Sequence, residues 1–381
     1  MDFSLPEAVE RKRKKIREFA LKEFTESKKR YYDENEKFPF EILHMALDNK
    51  LIDFANPWEF MVAIEELFRV DPGLGNSIIS YAFGSEILKL YGNEDQKARY
   101  LDPVLRGEKI MALGVTEPVA GSDVAGIASR IEREPGGDWL LNGSKMFITN
   151  GTVADLYLVL ARSEPSESGD QRHRNMTLSI VEPRWEGFSR TKLTGKLGVR
   201  ATDTAELVFS NVRVPAGNIV GEPGKGFYYV MKFFDISRVY ISAQSVGIAH
   251  GALDAIVERS RTDPEFASRE GIQFTISEIA TRIDAARLLT YRAASLLFNF
   301  NPDPVFTSMA KYYAAETATY AAETAMKVLG MDGAVTSLER LFRDAKIMEI
   351  WEGSSEIEKL VIYRMFMKKE GEENGRRTQD T

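Results

Sequence analysis

The spacing of apolar residues divides the chain into three zones. From the start to about residue 110, apolar positions recur every three or four residues among many charges, as in amphipathic helices. From about 111 to 220, short alternating runs separated by turns predict β-strands. After the glycine-rich stretch 221–226 the helical period returns and continues to about residue 367. We therefore expect domains at 1–110, 111–222 and 223–367, followed by a polar tail at 368–381 that frays.

The middle zone contains a pattern typical of a hairpin. Two apolar runs, at 139–141 and 145–149, flank Asn142-Gly143, a pair that favours a two-residue turn. Asn150-Gly151 predicts a second turn directly afterwards. Alternation predicts further strands at residues 156–161, 176–181 and 204–209.

The last zone contains four long amphipathic segments, near residues 241–260, 268–298, 306–329 and 354–367. Four long helices joined by short loops pack most simply as an antiparallel bundle. The expected fold class is therefore α+β, with helices, then a β-domain, then a helical bundle.

Composition restricts the chemistry that this chain can perform. The chain has 381 residues, which corresponds to two or three domains at about 150 residues each. It has no cysteine and three histidines, namely His44, His173 and His250. Thiol nucleophiles, disulfides and cysteine-bound metal clusters are therefore excluded, and a multi-histidine metal site is disfavoured. Proton transfers then fall mainly to carboxylates, and a redox step requires an organic cofactor.

The charge distribution indicates neither a nucleic-acid surface nor a membrane span. The net charge is -7, whereas a nucleic-acid-binding domain is basic. The basic run 11–15 leads into an apolar helical stripe, which favours a solvated helix face over a partner surface. The longest stretch without charged side chains, 239–253, is shorter than the roughly 20 residues that cross a bilayer. The first residues lack the form of a signal peptide, so we expect a cytoplasmic protein.

Residues 113–123 carry the first candidate ligand chemistry. They follow a predicted strand and offer backbone amides, the hydroxyls of Thr116 and Ser122, and the small residue Gly121. Such a segment lets a flat or anionic ligand approach the main chain closely. A turn whose hydroxyls cap its own backbone fits the same residues.

The second candidate segment is Phe147-Ile148-Thr149-Asn150-Gly151. Alternation along a strand places Phe147 and Thr149 on the same face. A ring beside a hydroxyl there can cover one face of an aromatic cofactor and bond to its edge. A buried aromatic side chain on a sheet explains the pattern equally well.

The helical pattern of the last zone breaks at Trp351-Glu352-Gly353. A carboxylate between a large aromatic side chain and a glycine fits a partly desolvated general base, with the glycine admitting a substrate beside it. Alternatively, Glu352 is a helix-capping acid and Ser354 or Ser355 is the cap. Spacing alone slightly favours the capping interpretation.

Taken together, these segments resemble the acyl-CoA dehydrogenase family in order and separation. The matching stretches are Val115-Thr116-Glu117-Pro118 with Ala120-Gly121-Ser122-Asp123, Phe147-Ile148-Thr149-Asn150-Gly151, and Trp351-Glu352-Gly353-Ser354-Ser355-Glu356. Phe234-Asp235-Ile236-Ser237-Arg238 and Leu341-Phe342-Arg343-Asp344-Ala345-Lys346 also fit the family, and the likeness runs from roughly residue 5 to 367. Five collinear segments are far more specific than any one of them.

The resemblance implies a fold, a cofactor and partners. The family fold is an N-terminal α-helical domain, a central antiparallel β-domain and a C-terminal four-helix bundle. Members bind FAD between the last two, usually in a homotetramer where a neighbouring subunit contributes to the flavin site. The implied substrate is an acyl-CoA, and the implied electron acceptor is an electron-transferring flavoprotein.

The resemblance also assigns roles to residues of this sequence. It places in the flavin site Leu113, Val115, Thr116, Gly121, Ser122, Phe147, Thr149, Ser354 and Glu356, with Arg259 at a flavin phosphate across the subunit interface. It places beside the acyl-CoA Ser122, Asp235, Arg238 and Gly353. Glu352 corresponds to the base that removes the α-proton while the β-hydrogen leaves as hydride. Some members carry the base where this chain has Ser237, so Glu352 is the only candidate of this type.

Some positions depart from the family pattern. The Phe-Gly expected after Arg259 is replaced by Thr262-Asp263, and a later glutamine-glycine pattern reads Lys327-Val328-Leu329-Gly330-Met331. These changes argue against a full contribution of the neighbouring subunit to FAD binding.

The alternatives to a dehydrogenase are a flavin oxidase or monooxygenase of the same fold and a non-catalytic helical scaffold subunit. Trp351 fits a short, branched or cyclic acyl chain and equally a plain pocket wall.

Overall fold

The computed structural model describes residues 4–163, 173–299 and 301–377, with side chains described as far as Lys368. The chain divides into two compact units. The first, here called the helical unit, consists of Met1–Glu26, Ala55–Pro72 and Phe234–Thr381. The second, the sheet unit, consists of Ser27–Phe54 and Gly73–Phe233. The three-domain boundaries expected from the sequence stay a prediction.

The described part of the sheet unit contains one eight-stranded sheet. Its strands are β1 (Met111–Gly114), β2 (Arg130–Arg133), β3 (Trp139–Thr149), β4 (Leu156–Arg162), β5 (Met176–Val181), β6 (Phe188–Lys192), β7 (Thr204–Val214) and β8 (Ile219–Val220). The order is β6-β7-β3-β2-β4-β5-β8, and β1 pairs with β4. Neighbours are antiparallel except that β1 and β2 run parallel to β4. The central β-domain is thus confirmed, as are the strands predicted near 156–161, 176–181 and 204–209.

The hairpin predicted at Asn142-Gly143 is wrong, because β3 runs through these residues without turning. The pairing of β3 with β7 shifts register between Leu141 and Gly143, so the Asn-Gly pair forms a bulge. Gly143 has φ 132°, and a Cβ there would lie 2.4 Å from the hydroxyl of Ser129. The side chain of Asn142 accepts a hydrogen bond of 2.7 Å from the Asn211 amide, which keeps the bulge paired.

The turn predicted at Asn150-Gly151 is present and anchors the end of β3. Asn150 has φ 62° and is completely buried. Its amide group donates to the carbonyls of Ser80 at 2.7 Å and Met111 at 3.1 Å. These two bonds tie the end of β3 to the start of β1, where the candidate segment 113–123 begins.

Fifteen α-helices occur in the described residues, and the short ones connect the long ones. They are α1 (Glu7–Glu23), α2 (Glu26–Glu34), α3 (Phe40–Asp48), α4 (Pro57–Val70), α5 (Pro72–Ile79), α6 (Ser85–Tyr91), α7 (Glu94–Gln96), α8 (Asp102–Leu105), α9 (Gly226–Thr262), α10 (Pro264–Ser268), α11 (Glu270–Phe298), α12 (Pro304–Leu329), α13 (Met331–Ala334), α14 (Leu338–Ala345) and α15 (Ser355–Arg377). The four long amphipathic segments predicted from the sequence correspond to α9, α11, α12 and α15. Helix α15 continues through most of the tail that we expected to fray, and residues 378–381 lie outside the described residues.

Within the helical unit, α12 packs against both α11 and α15, and α1 packs against α4. Small residues bring α9 close to α4. A Cβ at Gly247 or Gly251 would lie 2.4 Å from the backbone carbonyl of Glu65 or Arg69. A larger side chain at either position would push the two helices apart.

Charged side chains connect α1 to the rest of the helical unit. Arg13, which we expected on a solvated face, is mostly buried and lies 3.5 Å from Glu65. Arg17 donates to Glu66 on α4 at 3.1 Å and to Asp254 on α9 at 3.0 Å. The basic run of α1 is therefore partly an internal ion-pair surface, because α4 places buried carboxylates beneath it. No helix in the described residues is both long enough and apolar enough to cross a membrane.

Candidate active site

Glu352 occupies a sharp turn between the end of a short 3₁₀ segment, Lys346–Glu349, and the start of α15. Its φ is 55° and that of Gly353 is 100°, so two successive residues are left-handed. Glycine adopts this conformation freely, whereas for glutamate it costs about 1 kcal/mol or more. Such backbone strain is typical of functional sites.

The carboxylate of Glu352 is not a helix cap. Its Oε2 accepts a hydrogen bond from the hydroxyl of Ser237 on α9. The cap of α15 is Ser354, whose Oγ accepts a bond of 3.4 Å from the amide of Ile357. The capping interpretation of Glu352 is therefore wrong, while the expected role of a serine as cap is confirmed.

Two cations hold the backbone on both sides of the turn. Arg238 Nε donates to the carbonyl of Glu352 at 3.1 Å, and Lys311 Nζ donates to the carbonyl of Gly353. Arg238 is 8% exposed and Lys311 is fully buried. Arg238 also lies 3.0 Å from Oε1 of Glu358 and 3.7 Å from Asp235. The predicted residues Asp235, Arg238, Glu352 and Gly353 are thus brought together in the helical unit.

The electrostatic environment suits a general base. Burial raises the pKa of Glu352, and the Ser237 hydroxyl and the charges of Arg238 and Lys311 partly oppose this effect. Burial lowers the pKa of Lys311 to about 8, although the carboxylates of Glu358 and Glu352 favour its charged form. A carboxylate with a raised pKa in a fixed position is able to accept a proton from a weak carbon acid.

The neighbours of Glu352 supply further polar groups. Trp351 Nε1 and Ser355 Oγ are buried and have no hydrogen-bond partner among the described residues. Glu356, predicted to touch the cofactor, is exposed. A hydrogen bond from its own backbone amide and another from Ser354 lower its pKa.

In the sheet unit, a buried ion pair supports the candidate segment 113–123. Glu117 Oε1 accepts from Lys145 Nζ at 2.7 Å and from the Ser129 amide at 3.0 Å, and its Oε2 accepts from the Ala128 amide at 2.6 Å. Lys145 also donates to the carbonyl of Val115 at 3.0 Å. Burial opposes charge on Glu117, but the charge of Lys145 and the hydrogen bonds from Lys145, Ser129 and Ala128 together hold the Glu117 pKa below its usual range.

The role of Lys145 was not predicted from the sequence. The sequence signal that could have revealed it is a lysine at an inward position of a strand, between the buried Leu141 and Ile148. A buried lysine requires a partner of opposite charge. Burial lowers the pKa of Lys145 to about 8. The contribution of this pair is to fix the path of the chain after β1.

The predicted flavin-site residues of the sheet unit lie on two adjacent segments, joined by a bond of 2.8 Å from the Met146 amide to the Thr116 carbonyl. The side chains of Leu113 and Val115 are buried, Thr116 is half-buried, and Gly121 and Ser122 are exposed. Glu117 and Ala120 exchange two backbone hydrogen bonds, which makes a tight turn.

Phe147 lies at a second bulge of β3, where the register with β7 shifts between Lys145 and Ile148. It has φ 60° and its side chain is 69% exposed. Ile148 is buried and Thr149 is half-buried. A strained backbone that holds an aromatic ring out of the core makes Phe147 a candidate ligand contact.

The described partners of Arg259 are different residues from those named above. It borders a cavity of about 440 Å³ within the helical unit, together with Arg69, Glu258 and Leu329. Its guanidinium pairs with Asp332 at 2.9 Å and with Asp263 at 3.0 Å. Asp263 is one of the residues that departs from the family pattern, and here it neutralises the arginine.

Comparison with known proteins identifies the chain. Three family models match: the N-terminal, middle and C-terminal domains of acyl-CoA dehydrogenase, at residues 6–108, 112–212 and 224–367. The short-chain specific acyl-CoA dehydrogenase of Clostridium acetobutylicum is 35% identical over 379 residues, 95% of this chain and 98% of that protein. The caffeyl-CoA reductase-Etf complex subunit CarC of Acetobacterium woodii is 33% identical over 375 residues, 94% of this chain and 97% of that protein.

The fold is shared as well. The structure of butyryl-CoA dehydrogenase from Megasphaera elsdenii superposes with a TM-score of 0.89 at 30% identity, covering 96% of this chain and 100% of that one. The expected helix, sheet and helix architecture is therefore confirmed. The chain belongs to the acyl-CoA dehydrogenase family of oxidoreductases.

Proposed function

We propose that this protein converts an acyl-CoA thioester to its 2-enoyl-CoA, with Glu352 as the base that removes the α-proton. The observation that carries the proposal is the geometry of the Glu352 turn. Its carboxylate bonds to Ser237, and Arg238 and Lys311 hold the carbonyls of Glu352 and Gly353. A base fixed in this way does not have to reorganise when the proton is transferred.

FAD is the proposed cofactor, and the chemistry of the sheet unit fits it. The exposed Phe147 ring offers a flat apolar surface, and Thr116, Thr149 and Ser122 offer hydroxyls for a polar ring edge. We propose that these residues, with Leu113, Val115 and Gly121, hold the flavin. In the helical unit Ser354 and Glu356 are the proposed contacts. When bound, FAD supplies the acceptor for the β-hydride.

The role proposed for Arg259 is weakened by its partners. A flavin phosphate would have to share the guanidinium with Asp263 and Asp332, which already neutralise its charge. Its contribution to FAD binding therefore stays a prediction from the resemblance.

The acyl-CoA thioester must be polarised because its α-hydrogens are very weak acids. Within the described residues the N–H of Glu352 donates to no protein group, so it is available to the thioester oxygen. Stabilising the charge that develops on this oxygen is an oxyanion-hole function. Glu352 receives the α-proton on its carboxylate, and the charges of Arg238 and Lys311 favour the ionised form that accepts it.

Arg238 and Asp235 are also proposed on the acyl-CoA side. Arg238 is almost completely buried, and its described contacts are with Glu352, Glu358, Asp235 and the ring of Phe234. We therefore propose that it acts mainly through the Glu352 turn, and that a CoA contact is secondary.

The proposed acceptor is an electron-transferring flavoprotein, supported by the relative named as part of a reductase-Etf complex.

The proposed assembly is a homotetramer. Its support within the helical unit is a stripe of exposed apolar residues along α15, namely Leu360, Tyr363, Phe366 and Met367. A cytoplasmic location stays a prediction from the sequence.

The test is anaerobic titration of the purified protein with acyl-CoAs of several chain lengths while the flavin absorbance is followed. Glu352→Gln should slow flavin reduction by about 10²- to 10⁴-fold and leave the flavin bound, since glutamine keeps the shape and the Ser237 contact. Glu316→Gln removes an exposed carboxylate on α12 and should behave as the parent protein. Rapid flavin bleaching by Glu352→Gln would refute the assignment.

The same sample distinguishes the alternatives. Because one relative is named as a reductase, an enoyl-CoA is added to the chemically reduced protein to compare the two directions. Rapid reoxidation by air indicates an oxidase, and a protein that neither retains nor takes up flavin indicates a scaffold subunit.

A further inference from the structure

Glu358 is a second buried carboxylate beside the base. It lies in the first turn of α15 and its side chain is fully buried. Neither carboxylate oxygen accepts a well-formed hydrogen bond from the described residues. A buried charged group without hydrogen bonds is costly and requires an explanation.

Its surroundings provide that explanation, because Glu358 pairs with Arg238, one of the two cations that hold the turn. Arg238 Nε lies 3.0 Å from Glu358 Oε1 and donates to the Glu352 carbonyl. Lys311 donates to the Gly353 carbonyl, and the carboxylates of Glu358 and Glu352 both favour its charged form. Glu358 is therefore the buried counter-ion of Arg238, and its charge also acts on Lys311.

The Glu358 carboxylate also lies directly against the turn. A Cβ added to Gly353 would come 2.1 Å from Glu358 Oε1 and 3.4 Å from a terminal nitrogen of Arg238. The backbone of Gly353 therefore packs on the carboxylate and the guanidinium together. A change at Glu358 acts on Glu352 through these contacts.

We propose that Glu358 is a positioning residue for the base: as the buried counter-ion of Arg238, packed against Gly353, it helps Arg238 and Lys311 hold the Glu352-Gly353 turn. This inference rests on the proposed function of Glu352.

Charged and polar groups from three helices act on the carboxylate of Glu352. The groups that face Glu352 are Ser237 and Arg238 from α9, Lys311 from α12 and Glu358 from α15, while Asp235 and Glu349 act on Arg238 and Lys311. The negative charge of Glu358 raises the pKa of Glu352, and the positive charge of Lys311 lowers it. Removing either charge must therefore move the pKa of Glu352 in a known direction.

The experiment measures the pH dependence of anaerobic flavin reduction at saturating acyl-CoA in three variants. Glu358→Gln should move the acid limb of the profile to lower pH by about one unit, which is about tenfold in rate on that limb. Lys311→Gln should move it to higher pH. The double variant should return close to the parental profile, because one charge of each sign has been removed.

A second measurement does not depend on turnover. Without acyl-CoA, the infrared C=O band of the protonated Glu352 carboxyl, identified by its loss in Glu352→Gln, is followed across pH. Its midpoint should shift in Glu358→Gln and Lys311→Gln as the rate profiles do. Glu316→Gln, which removes an exposed carboxylate of the same helical unit, should leave both readouts unchanged.

Opposite shifts that cancel in the double variant support the proposal. A uniform loss of rate at every pH with an unmoved infrared midpoint overturns it, since a merely structural role has that effect. Identical profiles in all variants overturn it too. A parent protein whose flavin no acyl-CoA reduces overturns the proposed function, and with it this inference, so the two failures are distinguishable.

Discussion

Glu117 and Lys145 form a buried ion pair in the sheet unit. Removing one of the two charges tests how much this pair stabilises the folded chain. We consider Glu117→Gln, which keeps the size of the side chain and removes its charge. Glu117 accepts three hydrogen bonds, from Lys145 at 2.7 Å, Ala128 at 2.6 Å and Ser129 at 3.0 Å. Glutamine has one acceptor oxygen and one donor group, so at least one of these donors will face an NH₂ group.

The expected cost follows from the burial of both partners. Lys145 and Glu117 side chains are 0% and 3% exposed. Breaking a buried pair by removing one charge leaves the other uncompensated, at a cost of about 3–5 kcal/mol in the free energy of unfolding. Adding Lys145→Met removes the stranded ammonium, and replacing a buried pair by uncharged side chains is often close to neutral. The double variant should therefore recover at least about half of the loss.

Urea unfolding followed by tryptophan fluorescence measures the free energy of unfolding, and the choice of tryptophans restricts the signal to the sheet unit. In a Trp58→Phe/Trp351→Phe background the remaining tryptophans, Trp139 and Trp185, both belong to the sheet unit. The exposed Glu132→Gln is the matched control and should change the free energy of unfolding by less than about 0.5 kcal/mol. A loss below about 1 kcal/mol in Glu117→Gln, or a double variant as unstable as the single one, would refute the reasoning.

Two further predictions concern pH. Ser237→Ala removes a hydrogen bond that favours the ionised form of Glu352, so the pKa of Glu352 should rise. The acid limb of the pH profile of flavin reduction should then move to higher pH. An acid limb that does not move contradicts this prediction. Burial lowers the pKa of His250 to about 3, so between pH 6.5 and 3 the unfolded chain binds a proton that the folded chain does not. Stability should therefore fall by up to about 2 kcal/mol from pH 6.5 to 5, and His250→Gln should flatten this slope in urea unfolding. An equal fall in both proteins rules the explanation out.

The Asn142-Gly143 bulge shows why local signals mislead. An Asn-Gly pair between alternating runs favours a hairpin, and nothing nearby in sequence opposes it. In the folded chain β7 pairs along the whole of β3, and Asn211 donates to the Asn142 side chain. The long pairing outweighs the local preference, because it satisfies more backbone groups than two short strands would.

The local sequence around Glu352 is likewise a poor guide to the function of this residue. Its neighbours in sequence fit a capping acid slightly better than a base. Its partners Ser237, Arg238 and Lys311 are 115, 114 and 41 positions away, and no local pattern connects them. Only the resemblance favoured the base from the sequence, and the contacts then excluded the cap.

The sequence by itself determined the three zones, the long helices, most strands and the family, because periodicity and collinear motifs are properties of the chain order. The tertiary structure decided which charges share a buried space. Lys145 with Glu117, and Arg238 with Glu358, are pairs between distant segments. Their chemistry depends on desolvation and on distances of about 3 Å, and both arise only when the chain has packed.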